Sequence, residues 1–300
     1  MKEDNTPHSF RRLLESSGGK YDQYVLSEAR YSGMIAFMEK YLAGKPFDNA
    51  LDIGCGAGVI SRGLSKRFKN VVGVDGNTDN VSLARSLTDN QGTHNISYEY
   101  GLAAKLPVED ASVDLVVLNG VFEWVGLNDQ GENPQTRQLH VLDETLRVLK
   151  PGGSLYLAIE NRWHPRTLLR DPHTHLPLVN MLPRKFANFV SKQKSGRPFQ
   201  AYIYGYLKLN RMLSIAGFMN IKTFIPFPGY QHPASYIPIS PRRRTLLAID
   251  AIDKAEVCAV CESAGRTMDV EKAVTRMRRR ARWGVLGLLA HDYAIFAEKP

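Results

Sequence analysis

LDIGCGAGVISRGLSKRFKNVVGVD, residues 51–75, is the stretch that decides the fold. An apolar run leads into a loop with glycine at three alternate positions, Gly54, Gly56 and Gly58. An amphipathic run follows, and a second apolar run ends in Asp75. Glycine allows the sharp turn from strand to helix and lets a ligand come close where a Cβ would collide. The order is strand, glycine loop, helix, strand, and Asp75 stands seventeen residues beyond the last glycine. An acidic side chain at that point can accept hydrogen bonds from the hydroxyls of an adenosine ribose.

The same rhythm continues on the C-terminal side. NVSLARSLTDN reads as a helix, ISYEYG and VDLVVLNG as strands; TRQLHVLDETLRVL reads as a helix, KPGG as a turn and SLYLAIE as a strand. Apolar runs alternating with amphipathic ones predict a doubly wound α/β sheet, mostly parallel. On the N-terminal side, Tyr21 to Leu42 carries apolar residues at three- and four-residue spacing and reads as a helical cap. The expected organisation is a cap over 1–45, a cofactor-binding core over 46–160, an irregular lid over 161–206, and the end of the core sheet over 207–300. Within the last part a helix is expected from Leu207 to Ala216, stopped by Gly217, then the strand IKTFIPF. A basic insert with two helices at about 231–290 follows, before the closing strand DYAIFAEKP.

The loop discriminates between cofactors. Nicotinamide cofactors call for GxGxxG with a pyrophosphate at the helix N-terminus, and no glycine occupies the required place after Ala57. Asp52, just ahead of the loop, would repel a diphosphate and suits a cationic cofactor with an amino group. Here the chain resembles the class I methyltransferases, whose first motif is commonly an acidic residue followed by GxGxG. The resemblance runs through Asp75, LPVEDASVDLVVLNG and LKPGG, covering roughly 48–160. It implies a Rossmann-like sheet of seven strands and S-adenosyl-L-methionine as cofactor, held by Asp52, Gly54, Cys55, Gly56, Gly58, Asp75, Gly76, Leu102, Ala103 and Asn119. One departure stands out: where many relatives have an aspartate for the adenine amino group, this chain has Gly101-Leu102-Ala103, so backbone groups and apolar packing are expected to hold the adenine.

Ligands of open α/β sheets lie beyond the carboxyl ends of the strands. That places NGVFEW (119–124) and ENRWH (160–164) at the transferred methyl. An in-line displacement needs alignment, and a hydroxyl acceptor also needs a base. Glu123, Glu160, His164 and His173 are the candidate catalytic residues, with His175 as a further base. Each has a plainer reading as a cap or a solvated side chain. Asp171, His173 and His175 invite a metal, as does the lone CxxC of Cys258 and Cys261, but neither completes a ligand set and no metal is expected.

Charge is uneven along the chain. Residues 1–160 hold 16 Lys+Arg against 21 Asp+Glu, and residues 161–300 hold 23 against 9, a net of 14 positive charges. Such a half looks toward an anionic partner. Texture shared with methyltransferases of surface-polysaccharide and natural-product pathways implies a small-molecule or sugar acceptor and O-methylation. An RNA substrate and a non-catalytic cofactor-binding protein are the alternatives. Residues 271–290 pair arginines with apolar residues and could lie on an anionic membrane, although a docked helix with a solvated basic end is favoured. With three cysteines, no long apolar run and a polar start, a cytoplasmic location is expected, peripheral at the inner membrane face if that helix anchors.

Overall fold

A computed structural model describes residues 27–125, 133–171, 174–196, 199 and 202–300. After a 3-10 turn, α1 (Ser32–Tyr41) precedes the alternating core: β1 (Asn49–Ile53), α2 (Val59–Leu64), β2 (Asn70–Asp75), α3 (Thr78–Asn90), β3 (Ile96–Tyr100), β4 (Val113–Asn119), α4 (Pro134–Val148) and β5 (Leu149–Glu160). The chain continues through α5 (Pro165–Leu169), α6 (Arg184–Ser195), α7 (Tyr206–Ala216), β6 (Met219–Phe227) and β7 (Ser235–Pro238). It then forms α8 (Arg242–Asp250), α9 (Lys254–Ser263), α10 (Val270–Arg282), the single turn α11 (Leu286–Leu289) and β8 (Asp292–Glu298).

The strands form one sheet in the order β3-β2-β1-β4-β5-β8-β6-β7. Strands β1 to β5 pair in parallel, and β8 enters antiparallel between β5 and β6. Helices cover both faces, so β4 and β8 are buried almost continuously along their length rather than at alternate residues. The period of two still sorts their side chains. Leu51, Ile53, Val116, Leu118 and Leu157 face the core under α4, α7, α8 and α10, whereas Ala50, Leu115, Val117 and Tyr156 face the core under α1 and α2.

The doubly wound, mostly parallel sheet is as expected, with eight strands in place of seven. The additional strand, β7, lies in the segment read as a helical insert and pairs with the outer edge of β6. It is only four residues long and ends in Pro238, a composition tolerated at a sheet edge because the missing N–H is not called on. Four helices, not two, fill the rest of that insert. The expected irregular lid also holds structure: α5, a 3-10 turn at Val179–Met181, and α6 with Ala187 and Ser191 buried. Its prolines start helices here, at the first position of α5 and just ahead of α6.

The apolar face of α10 is docked. Val270, Met277 and Ala281 are buried in the main core, while Arg276, Arg278, Arg279 and Arg282 are exposed. Its apolar stripe is therefore committed to the protein interior. Among the described residues no helix is long and apolar enough to cross a membrane.

Candidate active site

The glycine loop is tied down by its own backbone. The N–H groups of Gly54 and Cys55 both donate to the Val74 carbonyl (2.7 and 3.1 Å), that of Gly58 to the Cys55 carbonyl (2.9 Å), and that of Gly56 to Asp75 Oδ2 (2.9 Å). Gly54 and Gly58 are irreplaceable on two counts. Both have positive φ, +70° and +74°, and an added Cβ would fall 2.5 Å from Val121 and 2.3 Å from the Tyr98 hydroxyl oxygen.

Beyond the loop a cavity of about 700 Å³ opens at the carboxyl ends of β1, β2 and β3. Gly54, Asp75, Gly76, Leu102 and Ala103 line it, together with Asn77, Asn80, Val121, Trp124, Arg137 and His140. The volume lies within the roughly 300–1,000 Å³ of small-ligand pockets. Four of the five loop N–H groups from Gly54 to Gly58 are already spent internally, so the loop has few donors left for a diphosphate. A cofactor without phosphate fits this cradle. Asp75 lines the cavity with a carboxylate whose Oδ1 accepts from the Asn77 N–H (2.9 Å) and Asn80 Nδ2 (3.1 Å).

The other expected cofactor residues do not line the cavity. Asp52 is 2% exposed and its Oδ2 accepts from Ser61 Oγ at 2.6 Å, a link from the end of β1 to α2 beneath the loop. Burial, then the charge of Asp75, pushes its carboxyl up to about 7. Cys55 turns its side chain into a small cluster with Val81, Ala84 and Tyr98, and burial pushes its thiol up. Gly56 and Gly58 shape the turn. Asn119 ends β4 with both amide atoms buried and without a hydrogen-bond partner.

At the ends of β4 and β5 the candidate bases converge. Glu123 is 1% exposed, neither of its carboxyl oxygens meets a donor, and burial together with the neighbouring Glu160 holds it well above the usual carboxylate range. Glu160 Oε1 accepts from the Tyr230 hydroxyl at 2.8 Å. Glu160 pairs in register with Asp292 at the start of β8; Asp292 Oδ2 accepts the Tyr230 N–H (3.2 Å), and its Oδ1 lies 2.6 Å from His291 Nδ1. Burial alone would lower His291, but Asp292 outweighs it and raises the imidazole. His164 sits at the rim, its ring 4.7 Å from that of His291, and burial lowers it to about 3. Glu123, Glu160 and His164 are thus brought into one cluster, whereas His173 lies outside the described residues. His175, at positive φ in the turn after α5, is not part of it. Tyr230, His291 and Asp292 escaped the sequence reading. The signal was there, in that the first residue of an antiparallel central strand must stand opposite the last of β5, but it needs the strand order to be read.

Asp171 is fully buried and accepts from the Thr174 N–H (2.6 Å), Thr174 Oγ1 (2.8 Å) and Asn180 Nδ2 (2.8 Å), so it anchors a turn. Of the CxxC pair on α9, Cys258 is exposed and Cys261 buried. Among the described residues no group of three or more His, Cys, Asp or Glu side chains could hold a metal ion.

Residues 51–157 match the family model of a methyltransferase domain. The ubiquinone biosynthesis O-methyltransferase of Maricaulis maris is 36% identical over 121 residues, 39% of this chain and 43% of that protein. The demethylmenaquinone methyltransferase of Oceanobacillus iheyensis is 27% identical over 232 residues, 74% of this chain and 90% of that protein. The chain spans less than half the length of the first curated relatives it matches. Among solved structures, phosphoethanolamine N-methyltransferase 2 of Haemonchus contortus in complex with S-adenosyl-L-methionine superposes with a TM-score of 0.53 at 16% identity, over 98% of this chain and 60% of that one, a likeness of fold. With the glycine loop, Asp75 and the strand order in place, residues 51–157 are a class I methyltransferase domain whose cofactor is S-adenosyl-L-methionine.

Proposed function

We propose that this chain methylates an oxygen of a small-molecule or sugar acceptor. The observation that carries the proposal is the buried carboxyl pair Glu123 and Glu160 at the mouth of β4 and β5, beside the loop whose Val121 and Trp124 line the cofactor cavity. Bound S-adenosyl-L-methionine supplies an electrophilic methyl on a sulfonium. An acceptor hydroxyl must shed its proton as it attacks, and a carboxylate of this pair is placed to take it. Two like charges in a buried site favour sharing one proton, which leaves one carboxylate to take the hydroxyl proton while the other is a carboxylic acid. The Tyr230 hydroxyl orients Glu160, and at the rim His164 is held neutral by burial with its Nδ1 accepting the Arg166 N–H. Trp124 and Trp163, 38% and 47% exposed on the loops after β4 and β5, offer flat apolar surface to an acceptor ring. Asp75, Gly54, Gly76, Leu102 and Ala103 are assigned to the cofactor. The O-methyltransferase named among the relatives supports the oxygen.

The test is turnover of S-adenosyl-L-methionine with a panel of phenols, sugars, amines and RNA, read as S-adenosylhomocysteine formed. Oxygen acceptors are expected to react, and Glu123→Gln to lower turnover by about 10²-fold or more while S-adenosylhomocysteine affinity holds within about twofold. Wild-type turnover by the variant, or methyl incorporation confined to amines or RNA, would refute it.

A further inference from the structure

We infer that the segment after β5 builds a second pocket that binds a phosphate or diphosphate group carried by the acceptor. Calling the ligand an acceptor rests on the methyltransferase reading; anion binding itself rests on the geometry alone.

The pocket, about 290 Å³, lies between the start of α4, the loop after β5, α6 and α7. Three cations converge on it from three elements: Arg162 on the loop, Arg184 at the first turn of α6 and Lys208 on α7. Among the described lining residues there is no Asp or Glu. Arg162 and Lys208 donate to neutral oxygens. Arg162 Nε and Nη2 donate to the Asn180 carbonyl (3.0 and 2.7 Å), Arg184 Nη2 donates to the Phe199 carbonyl, and Lys208 Nζ donates to Gln135 Oε1 (2.9 Å). Burial, and the Arg162 charge after it, lowers Lys208; burial is also the largest cause lowering Arg162 and Arg184. Positive charge gathered from three elements in a part-buried recess, with no carboxylate among its described lining residues, is a standing attraction for an anion.

The recess is built rather than incidental. Fully buried Asp171 holds Asn180 Nδ2 at 2.8 Å, and Asn180 presents the carbonyl that aims Arg162. The guanidinium of Arg184 stacks on Phe199 and Tyr202, and the Lys208 ammonium lies 4.3 Å from the Tyr204 ring centre. Asn133 and Gln135, the N-cap and second residue of the fifteen-residue α4, complete the wall, adding the positive end of a helix dipole. Guanidinium forks match phosphate oxygens in pairs.

Its position points to the acceptor. Tyr202 N–H donates to the Glu123 carbonyl (3.1 Å), Gln138 Nε2 bridges the Phe122 and Tyr202 carbonyls (2.8 and 3.1 Å), and Asn161 forms a β-bridge with Tyr204. The pocket wall is therefore stitched to both loops that carry Glu123 and Glu160. Its volume, at the lower end of small-ligand pockets, suits one charged group with a short skeleton.

Calorimetric titration of inorganic pyrophosphate into the full chain at low salt tests the pocket. Binding is expected, weakened about tenfold or more in Arg162→Gln and in Lys208→Gln, with S-adenosylhomocysteine affinity unchanged. Lys208 is exposed, so its variant remains interpretable if the Arg162 variant fails to fold. No binding to the wild-type chain, or binding indifferent to both substitutions, overturns the pocket. Pyrophosphate binding without S-adenosylhomocysteine binding keeps the pocket and sinks the methyltransferase reading instead. The acceptor assignment is read from matched acceptors with and without a phosphate. The phosphorylated member is expected to show a KM at least about tenfold lower, an advantage lost in Lys208→Gln. Equal KM values, with inorganic phosphate binding as tightly as any phosphate ester, would reassign the pocket to free phosphate.

Discussion

Asp75→Ala is the sharpest perturbation of the cofactor site, and the local geometry sets its size. A carboxylate offers about four lone pairs. Three are taken: Oδ1 by the Asn77 N–H and Asn80 Nδ2, Oδ2 by the Gly56 N–H. One ribose hydroxyl can therefore bond to Oδ2 at no local cost, and a second must displace the Asn80 amide. A hydrogen bond to a charged group is worth about 1.5–3 kcal/mol, so Asp75→Ala should weaken S-adenosylhomocysteine by at least about tenfold. Asn80→Ala empties the contested lone pair and should leave affinity equal or tighter. The alanine at 75 also strips the acceptor from the Gly56 and Asn77 N–H groups, about 1 kcal/mol each, which appears as a lower Tm of the cofactor-free protein. Calorimetry with S-adenosylhomocysteine and its 2′-deoxyribose analogue separates the two effects, because only the ribose bond is lost on both axes of the cycle. Equal losses for the two ligands, or unchanged affinity in a folded Asp75→Ala protein, refute the ribose assignment.

Gly58→Ala forces a left-handed residue at φ +74° and drives a Cβ to 2.3 Å from the Tyr98 hydroxyl oxygen, so a loss of about 2–4 kcal/mol is expected in urea unfolding. Asp52 is a pH probe. Its folded-state carboxyl is raised from 3.8 to about 7 by burial, so the folded chain holds the extra proton between those values and stability falls as pH rises through them. Asp52→Asn removes that slope; relative to wild type the variant should gain up to about 4 kcal/mol between about pH 4 and pH 8, and parallel pH profiles would refute the burial argument. At the rim, His291→Ala removes the group 2.6 Å from Asp292; because Asp292 raises this imidazole, the fall in Tm is expected to be largest below about pH 6, where the imidazole is charged, and to shrink as pH rises through its raised value.

The alternation of short apolar and amphipathic runs, the three loop glycines and the acid ending the second strand were enough to read a doubly wound sheet and a phosphate-free cofactor, because strand period, turn sterics and charge repulsion are local properties. Asp75, Gly54, Gly76, Leu102 and Ala103 reached the cavity wall since each lies within a few residues of a strand end. Asp52, equally close, did not: the pleat sends successive side chains to opposite faces, and packing against α2 buried it on Ser61. The eighth strand and the helices of the basic half depended on partners far along the chain, and short segments show no period of their own. Nothing local marks Tyr230, 70 residues along the chain, as a neighbour of Glu160, or Asp292, which meets it only through the pairing of β5 with β8. Net positive charge in the second half was visible from composition. Its gathering of Arg162, Arg184 and Lys208 around one recess was decided by tertiary structure alone, because a charge's position relative to others depends on where three separate elements pack.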